Sequence, residues 1–150
     1  MSFKDYVNKD QNRYGRTFFA AFQNPGFRFL VWMRMSSHFS KCHPFGIISR
    51  IFFKWMQVRF GFQIPHIAQI GGGLFMGHYG GIVISNEAVI GENCNIAQGV
   101  TIGRINKGPR KGAPKIGNRV WIGTNSVMVG NITIGDNVLI APLSFVNLDV

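Results

Sequence analysis

The side chains of this chain that can act as a general base near neutral pH are its four histidines: His38, His43, His66 and His78. His38 and His43 lie in a basic aromatic segment, and we interpret them as surface or capping residues. His78 differs because glycines flank it in the segment Gly77-His78-Tyr79-Gly80-Gly81. Glycine lets a ligand approach the backbone closely. A neutral imidazole in such a segment is suited to taking a proton from an acceptor hydroxyl.

The two cysteines, Cys42 and Cys94, lie far apart and outside any spacing used for metal binding or redox chemistry. We expect reduced thiols, with Cys94 as a small interior residue. No Ser or Cys is placed as a nucleophile beside His78, so the residues favour a reaction without a covalent enzyme intermediate. Residues 1–10 lack the apolar region of a secretory signal, and no uncharged apolar run is long enough to cross a membrane. These features predict a cytoplasmic protein.

Aliphatic residues, which we call anchors, recur every six positions through the second part of the chain. The longest uninterrupted series is Ile116, Ile122, Met128, Ile134, Ile140 and Val146. The earlier series are Ile64, Ile70, Met76, Ile82 and, after a two-residue slip, Ile84, Ile90, Ile96, Ile102. The residue after the anchor is often Gly or Ala. A helix repeats its apolar stripe about every 3.6 residues, so this period excludes a helix.

A six-residue period with glycine at a fixed phase predicts short strands joined by corners. Each unit forms one flat side with its anchor pointing inward, and Gly or Asn relieves the corner. Three sides close one coil, and stacked coils bury a continuous core. We therefore predict a mainly β protein: a parallel β-helix over residues 62–150, preceded by a short helical arm over residues 1–61.

The repeat is interrupted by a polar insertion between Ile102 and Ile116. Residues 104–114 are basic and broken by Gly and Pro, so we expect them to loop out of the prism. The cations of this loop are Arg104, Lys107, Arg110 and Lys111. Their charge suits an anionic ligand such as a phosphate group.

The repeat and the segments around His78 resemble those of the hexapeptide-repeat acyltransferases. The stretch Gly61–Gly103 is similar to the serine acetyltransferase branch, in which a His of a Gly-rich segment ending in Gly-Ile-Val is the catalytic base and matches His78. The segments Gln98–Gly103 and Val120–Gly123 also match the family pattern. The resemblance covers roughly residues 44–150. It implies a left-handed prism, a homotrimer, and acetyl-CoA as cosubstrate without a metal.

The resemblance also implies roles for individual residues. His78 would take the proton of an acceptor hydroxyl as the oxygen attacks the acetyl thioester, and Gln63 stands where the branch has an Asp that orients the base. Backbone N–H groups of the Gly-rich segments would stabilise the oxyanion. Acetyl-CoA is expected to contact Gly103, Arg104, Lys107, Trp121, Gly123 and Ala141. The acceptor is expected to contact Gly77, Tyr79, Asn86 and Glu87.

Several positions depart from the serine acetyltransferase pattern. Gln63 replaces the orienting Asp, Gly77 replaces an acidic residue, and Ala113 stands where the inserted loop has a second His. Asn86, with Glu87 beside it, matches the acid after the Gly-Ile-Val run. The missing groups hold the ammonium and carboxylate of serine. We therefore expect the hydroxyl of a sugar or polysaccharide precursor as the acceptor, with serine O-acetyltransferase as the alternative.

The arm is basic and aromatic. Residues 1–62 carry ten Lys/Arg and two Asp, whereas residues 63–150 carry six Lys/Arg and four Asp/Glu. We predict two helices, over residues 27–41 and 47–60. The second has an apolar face formed by Ile47, Ile48, Ile51, Phe52, Trp55 and Val58. This arm either packs against the prism or a neighbouring subunit, or makes peripheral contact with an anionic membrane. No nucleic-acid motif is present, so no such partner is expected.

Two alternatives use the same prism. A γ-type carbonic anhydrase would need three zinc-binding His, and only His66 and His78 lie in the predicted prism, so no metal is expected. A non-catalytic scaffold would use the prism only to bind partners. The activity of a His78→Ala variant distinguishes this scaffold from the enzyme.

Overall fold

Three parallel sheets form the sides of a coil that begins at Phe62. The computed structural model describes residues 2–40 and 42–150. Sheet A contains β1 (Phe62–Gln63), β3 (Ile82–Ile84), β6 (Thr101–Gly103), β9 (Val127–Val129) and β12 (Phe145–Val146). Sheet B contains β2 (Gln69–Ile70), β4 (Val89–Ile90), β7 (Lys115–Ile116) and β10 (Thr133–Ile134). Sheet C contains β5 (Asn95–Ile96), β8 (Trp121–Ile122) and β11 (Leu139–Ile140).

The chain enters sheets A, B and C in turn, so each strand pairs with the strand of the same side one coil away. Val83 of β3, for example, pairs with Gln63 in the preceding coil and with Thr101 in the following coil. In the first coil Phe75 occupies the sheet C side through a parallel bridge to Asn95. This connectivity confirms the predicted parallel β-helix.

The six-residue anchors fill the interior of the prism. Each anchor from Ile64 to Val146 is at most 9% exposed. The two-residue slip between Ile82 and Ile84 falls inside β3, where both side chains are buried. Residues two apart in a strand point to the same side, so the slip changes the phase without exposing an anchor. Cys94 is buried in the same core, as predicted.

Several corners require the left-handed backbone region. Among the described residues, those other than glycine with positive φ are Asn93, Arg119, Asn125, Asn137 and Leu143. The corners between sheets C and A stack on one another: the Asn125 N–H donates to the carbonyl of Gln98, and the Leu143 N–H to that of Thr124. Asn tolerates this conformation better than a side chain such as Leu.

Leu143→Asn is expected to stabilise the fold by about 1 kcal/mol, because Leu143 has a φ of 61° and its side chain is exposed. Equilibrium unfolding in urea measures the change. Leu139→Asn is the matched control, since Leu139 is also exposed but lies in β11 with ordinary strand geometry. An equal gain in both variants would show that loss of exposed apolar surface, and not backbone strain, explains the effect.

Four helices precede the prism in the described part of the arm. They are α1 (Phe3–Tyr14), α2 (Phe18–Phe22), α3 (Pro25–His38) and α4 (Pro44–Phe60). The prediction of two helices is wrong in number, since α1 and α2 are additional, and in bounds, since α3 ends at His38. The predicted end at Lys41 lies outside the described residues. Ser2 and Asp5 cap α1 by exchanging backbone-to-side-chain hydrogen bonds of 2.8 and 3.2 Å.

α4 packs through the face opposite to its large apolar residues. Its buried residues are Gly46, Ser49, Phe53 and Met56. Ile47, Ile48, Ile51, Phe52, Trp55 and Val58 are exposed in the described chain. Arg50 of the same helix is partly buried and donates to the carbonyls of Ser36 and Phe39 at 2.9 and 3.1 Å. Within this chain the predicted apolar face therefore does not pack against the prism.

A buried ion pair holds the arm against the first coil. The Arg34 guanidinium donates to the Asp10 carboxylate at 3.0 Å, and the two side chains are 8% and 1% exposed. Asp10 also accepts the Gly73 N–H at 2.7 Å, and Arg34 donates to the carbonyl of Gly71 at 2.7 Å. Burial raises the pKa of Asp10, and Arg34 together with the backbone N–H groups offsets part of that rise.

Candidate active site

His78 lies in a turn that connects sheet C to sheet A. We call the stacked turns of this kind, residues 77–81, 97–100, 123–126 and 141–144, the C–A edge. His78 and both of its neighbours are exposed. Gly80 has a φ of 111°, and a side-chain carbon placed on it would meet no atom within 4 Å. The His78 imidazole therefore lies beside open space, which a base that contacts a substrate requires.

The sequence pairs Gln63 with His78, and the structure does not bring them into contact. Gln63 lies on the outer face of β1 and lines a groove of about 760 Å³ together with Lys54, Ser85 and Asn86. Within residues 2–40 and 42–150, the His78 side chain forms no hydrogen bond or ion pair. The orienting role assigned to Gln63 is therefore not visible in a single chain.

Tyr79 fixes one side of the His78 turn to the arm. Its ring packs against that of Phe60, at the end of α4, with ring centroids 5.3 Å apart. The Arg28 guanidinium of α3 lies over the Phe60 ring, 6.0 Å from its centre. The predicted acceptor contact Tyr79 is thus partly engaged by the arm while it remains 59% exposed.

The arm also holds the residue two positions before His78, which the sequence did not predict. The Met76 N–H donates to the Tyr14 hydroxyl at 2.6 Å. A side-chain carbon at Gly26 would lie 2.3 Å from the Met76 carbonyl oxygen, so only glycine permits this approach of α3. Burial raises the pKa of the Tyr14 phenol, which keeps it protonated. α1 and α3 therefore hold the Met76 backbone from both sides.

The structure divides the predicted binding residues between two edges of the prism. Gly123 and Ala141 lie on the C–A edge, two and three coils beyond the His78 turn, at about 4.8 Å per coil. Trp121 lies on the outer face of β8, just before that edge. The turns from sheet A to sheet B, which we call the A–B edge, carry Asn86, Glu87, Arg104 and Lys107, and Gly103 is the last residue of β6, just before this edge. One chain therefore does not assemble these residues around His78.

The inserted residues 104–114 form a short hairpin on the A–B edge. Ile105 and Gly112 exchange two backbone hydrogen bonds of 2.9 Å, and the Asn131 N–H donates to the Arg110 carbonyl at 3.0 Å. Lys107 is exposed at the tip. Arg104 pairs with Glu87, so the charge expected to meet a phosphate is partly neutralised in this state. Both side chains of this pair are exposed, so separating them costs little free energy.

The described residues contain no group of three His, Cys, Asp or Glu side chains close enough to hold a metal ion. Burial raises the pKa of the Cys94 thiol, which makes it a poor nucleophile. Within the described part of the chain, His78 remains the best-placed candidate for proton transfer.

Known proteins with similar sequences are serine acetyltransferases. Residues 113–147 match the family model of the bacterial transferase hexapeptide, six repeats. The chain is 36% identical over 126 residues to a serine acetyltransferase from Synechococcus elongatus, an alignment of 84% of this chain and 51% of that protein. It is 34% identical to one from Helicobacter pylori, over 84% of this chain and 73% of that protein. The chain thus spans about half the length of the first relative.

Solved structures extend the similarity to the arm. The serine acetyltransferase of Neisseria gonorrhoeae superposes with a TM-score of 0.78 and 31% identity, over 99% of this chain and 62% of that one. The prism is therefore left-handed, as the resemblance implies. The likeness also reaches beyond residues 44–150, because the helices before residue 44 superpose as well. The chain belongs to the hexapeptide-repeat acyltransferase family, in its serine acetyltransferase-like branch.

Proposed function

We propose that the protein is an acetyl-CoA-dependent O-acetyltransferase with His78 as its general base. The observation that carries the proposal is the position of His78, which is exposed on the C–A edge between glycines in a chain of this family. Membership of the serine acetyltransferase-like branch supports acetyl-CoA as the donor. Cys94 is a poor competing catalytic group, because burial raises the pKa of its thiol.

The reaction needs one proton acceptor and one oxyanion site. An imidazole nitrogen of His78 takes the proton as the acceptor oxygen bonds to the thioester carbonyl carbon. The tetrahedral oxyanion is stabilised by backbone N–H groups of the Gly-rich edge. The carbon–sulfur bond then breaks, and the departing thiolate recovers the proton from the imidazolium. The products are the acetyl ester and free coenzyme A, and no acyl-enzyme forms.

A complete site requires a second copy of the chain. His78 lies on the C–A edge, whereas Arg104 and Lys107 lie on the A–B edge of the same prism. A homotrimer, which is typical of the family, would place the C–A edge of one copy beside the A–B edge of the next. The proposed acetyl-CoA site is therefore a cleft between neighbouring copies, lined on one side by Trp121 and Gly123.

Serine is the acceptor that the comparisons favour. Several similar proteins are named serine acetyltransferase, and one solved relative of the branch, from Neisseria gonorrhoeae, is described in complex with serine. These names favour the serine alternative over the sugar acceptor that the departures in the sequence predict. We therefore place serine first among the acceptors.

A neutral sugar hydroxyl is the second candidate, and a specific observation favours it. No Asp or Glu occurs between Gln11 and Asn86, so no carboxylate from this stretch can bind the ammonium group of serine beside His78. Ala113 is buried, and it leaves no imidazole at the inserted hairpin. A sugar hydroxyl needs only neutral hydrogen-bond partners, which Asn86 and Gln63 provide.

Release of free thiol from acetyl-CoA tests both candidates. The assay compares serine with a panel of sugars and nucleotide sugars, and His78→Ala is the control. Thiol release that needs serine and disappears in the variant supports the first candidate, and sugar-dependent release supports the second. If acetyl-CoA binds but no acceptor promotes release, the scaffold alternative replaces the enzyme.

Tyr14→Phe is expected to lower kcat, by up to about 10²-fold, with little change in KM for acetyl-CoA. The variant removes the oxygen that accepts the Met76 N–H, and small displacements of a catalytic group have effects of this size. The buried N–H that is left unpaired also lowers the free energy of unfolding by roughly 1–3 kcal/mol. Steady-state kinetics well below the unfolding temperature separate the two effects. Tyr6→Phe is the matched control on α1, and an equal loss in both variants would contradict the positioning role of Tyr14.

A further inference from the structure

A continuous apolar face of α4 is exposed to solvent. The exposed apolar residues of this helix, which we call the α4 stripe, are Phe45, Ile47, Ile48, Ile51, Phe52, Trp55 and Val58. Ile51, Trp55 and Val58 are 64%, 58% and 77% exposed. The ring of Trp32 on α3 stacks on Phe52 with centroids 4.7 Å apart, which widens the apolar surface. A contiguous exposed surface of this kind marks an interaction site.

The stripe cannot turn inward, because the other side of α4 is already packed. Phe53 and Met56 are buried in the main core. A side-chain carbon at Gly46 would lie 2.1 Å from the Ser40 carbonyl oxygen, so the helix and the preceding segment are in close contact there. Rotation of α4 would expose this core. The partner of the stripe must therefore come from outside the described fold.

The charged residues of α4 are all basic. Lys54 is exposed and lies one helical turn from Ile51 and Val58, and Arg59 is exposed one turn after Trp55. Residues 11–86 contain eight Lys/Arg and no Asp or Glu. The stripe is therefore an apolar surface with a basic border, which fits a partner that is apolar inside and anionic at its surface.

We propose that the α4 stripe docks the protein peripherally on an anionic lipid bilayer. Trp55, Ile51 and Val58 would enter the boundary between headgroups and acyl chains, while Lys54 and Arg59 would meet anionic headgroups. No described helix is long and apolar enough to cross a membrane, so the contact is interfacial. This surface is independent of the proposed chemistry at His78.

Charge argues against a two-fold pairing of α4 stripes as the occupant. In a two-fold pairing of stripes, Lys54 and Arg59 of both copies would approach one another. No carboxylate between residues 11 and 86 would be available to neutralise them. An anionic bilayer supplies that neutralisation and the apolar medium together.

Vesicle co-sedimentation of the full chain tests the proposal. The protein is mixed with phosphatidylcholine vesicles with and without phosphatidylglycerol, at low and high salt. We expect binding to the anionic vesicles, weakened by salt, and a blue shift of Trp55 fluorescence in a Trp32→Phe/Trp121→Phe background. Ile51→Ser/Trp55→Ser is expected to lower the partition coefficient roughly tenfold or more, and Lys54→Gln or Arg59→Gln roughly fivefold each.

Leu139→Ser is the matched control, because it removes an exposed apolar residue from the prism instead of α4. It should leave vesicle binding unchanged. Sedimentation velocity without lipid gives the oligomeric state of each variant. The proposal is overturned if the unsubstituted protein does not bind anionic vesicles, or if Ile51→Ser/Trp55→Ser dissociates an assembly, since the stripe would then be a contact between copies.

Discussion

The His78→Ala variant is expected to release coenzyme A roughly 10²–10⁴-fold more slowly than the unsubstituted protein at saturating acceptor, which is the usual contribution of a general base. The loss should appear in kcat, with KM for acetyl-CoA little changed, because the imidazole acts on the acceptor hydroxyl and not on the donor. Thiol release followed against the concentration of each substrate measures the two parameters.

The same substitution should leave the unfolding temperature unchanged. His78 is exposed, and among the described residues its side chain has no hydrogen-bond or ion-pair partner to lose. His78→Gln keeps polarity and size without basicity, so it should lose activity as alanine does. His43→Ala is the matched control, since His43 is also exposed but belongs to the arm. Undiminished thiol release in His78→Ala would place the base elsewhere.

The residues that fill the prism interior were predictable, because the six-residue period alone determines which side chains are buried. Each anchor between Ile64 and Val146 is buried, and the strands occur where the six-residue step puts them. The location of His78 also follows from this step, because it lies two residues after the anchor Met76. The structure of such repeats can be predicted from sequence because equivalent residues in successive coils have the same environment.

The contacts between the arm and the His78 turn were not predictable in the same way. Tyr14 and Met76 are 62 positions apart, and no local pattern indicates that the Met76 N–H donates to the Tyr14 hydroxyl. α1 itself is predominantly polar, although the Ser2 and Asp5 capping box was a signal for its start. Such long-range contacts depend on how the arm docks, which a six-residue period does not encode.

The packing of α4 shows why a pattern can identify a helix without showing which of its faces packs within the chain. The large apolar residues indicated the side that would be covered. Within the chain, α4 instead packs through the side that carries Gly46 and Ser49, where the missing side chain of Gly46 leaves room for the Ser40 carbonyl just after α3. Phe29 and Phe53 then pack with ring centroids 5.1 Å apart. In α4 the small residues that allow close packing lie on one face and the most hydrophobic residues lie on another. The sequence alone does not indicate which of these faces is buried.

Asp10→Asn is expected to lower the free energy of unfolding by about 3–5 kcal/mol, the largest effect on stability that we predict. The substitution leaves the Arg34 guanidinium buried without its counter-charge, because Arg34 is only 8% exposed. It also weakens the acceptor of the Gly73 N–H, which ties α1 to the first coil. Urea unfolding, followed by circular dichroism, measures the change.

Lys9→Gln is the matched control on the same helix. Lys9 also bridges α1 to the prism, through Glu92 at 2.8 Å, but the two side chains are 40% and 37% exposed. Water and salt already screen this pair, so its loss should cost below about 1 kcal/mol. If the two variants lose equal stability, burial of the charge is not what makes the Asp10–Arg34 pair important. A large loss in Asp10→Asn alone would show that this buried pair fixes the arm to the coil that leads to His78.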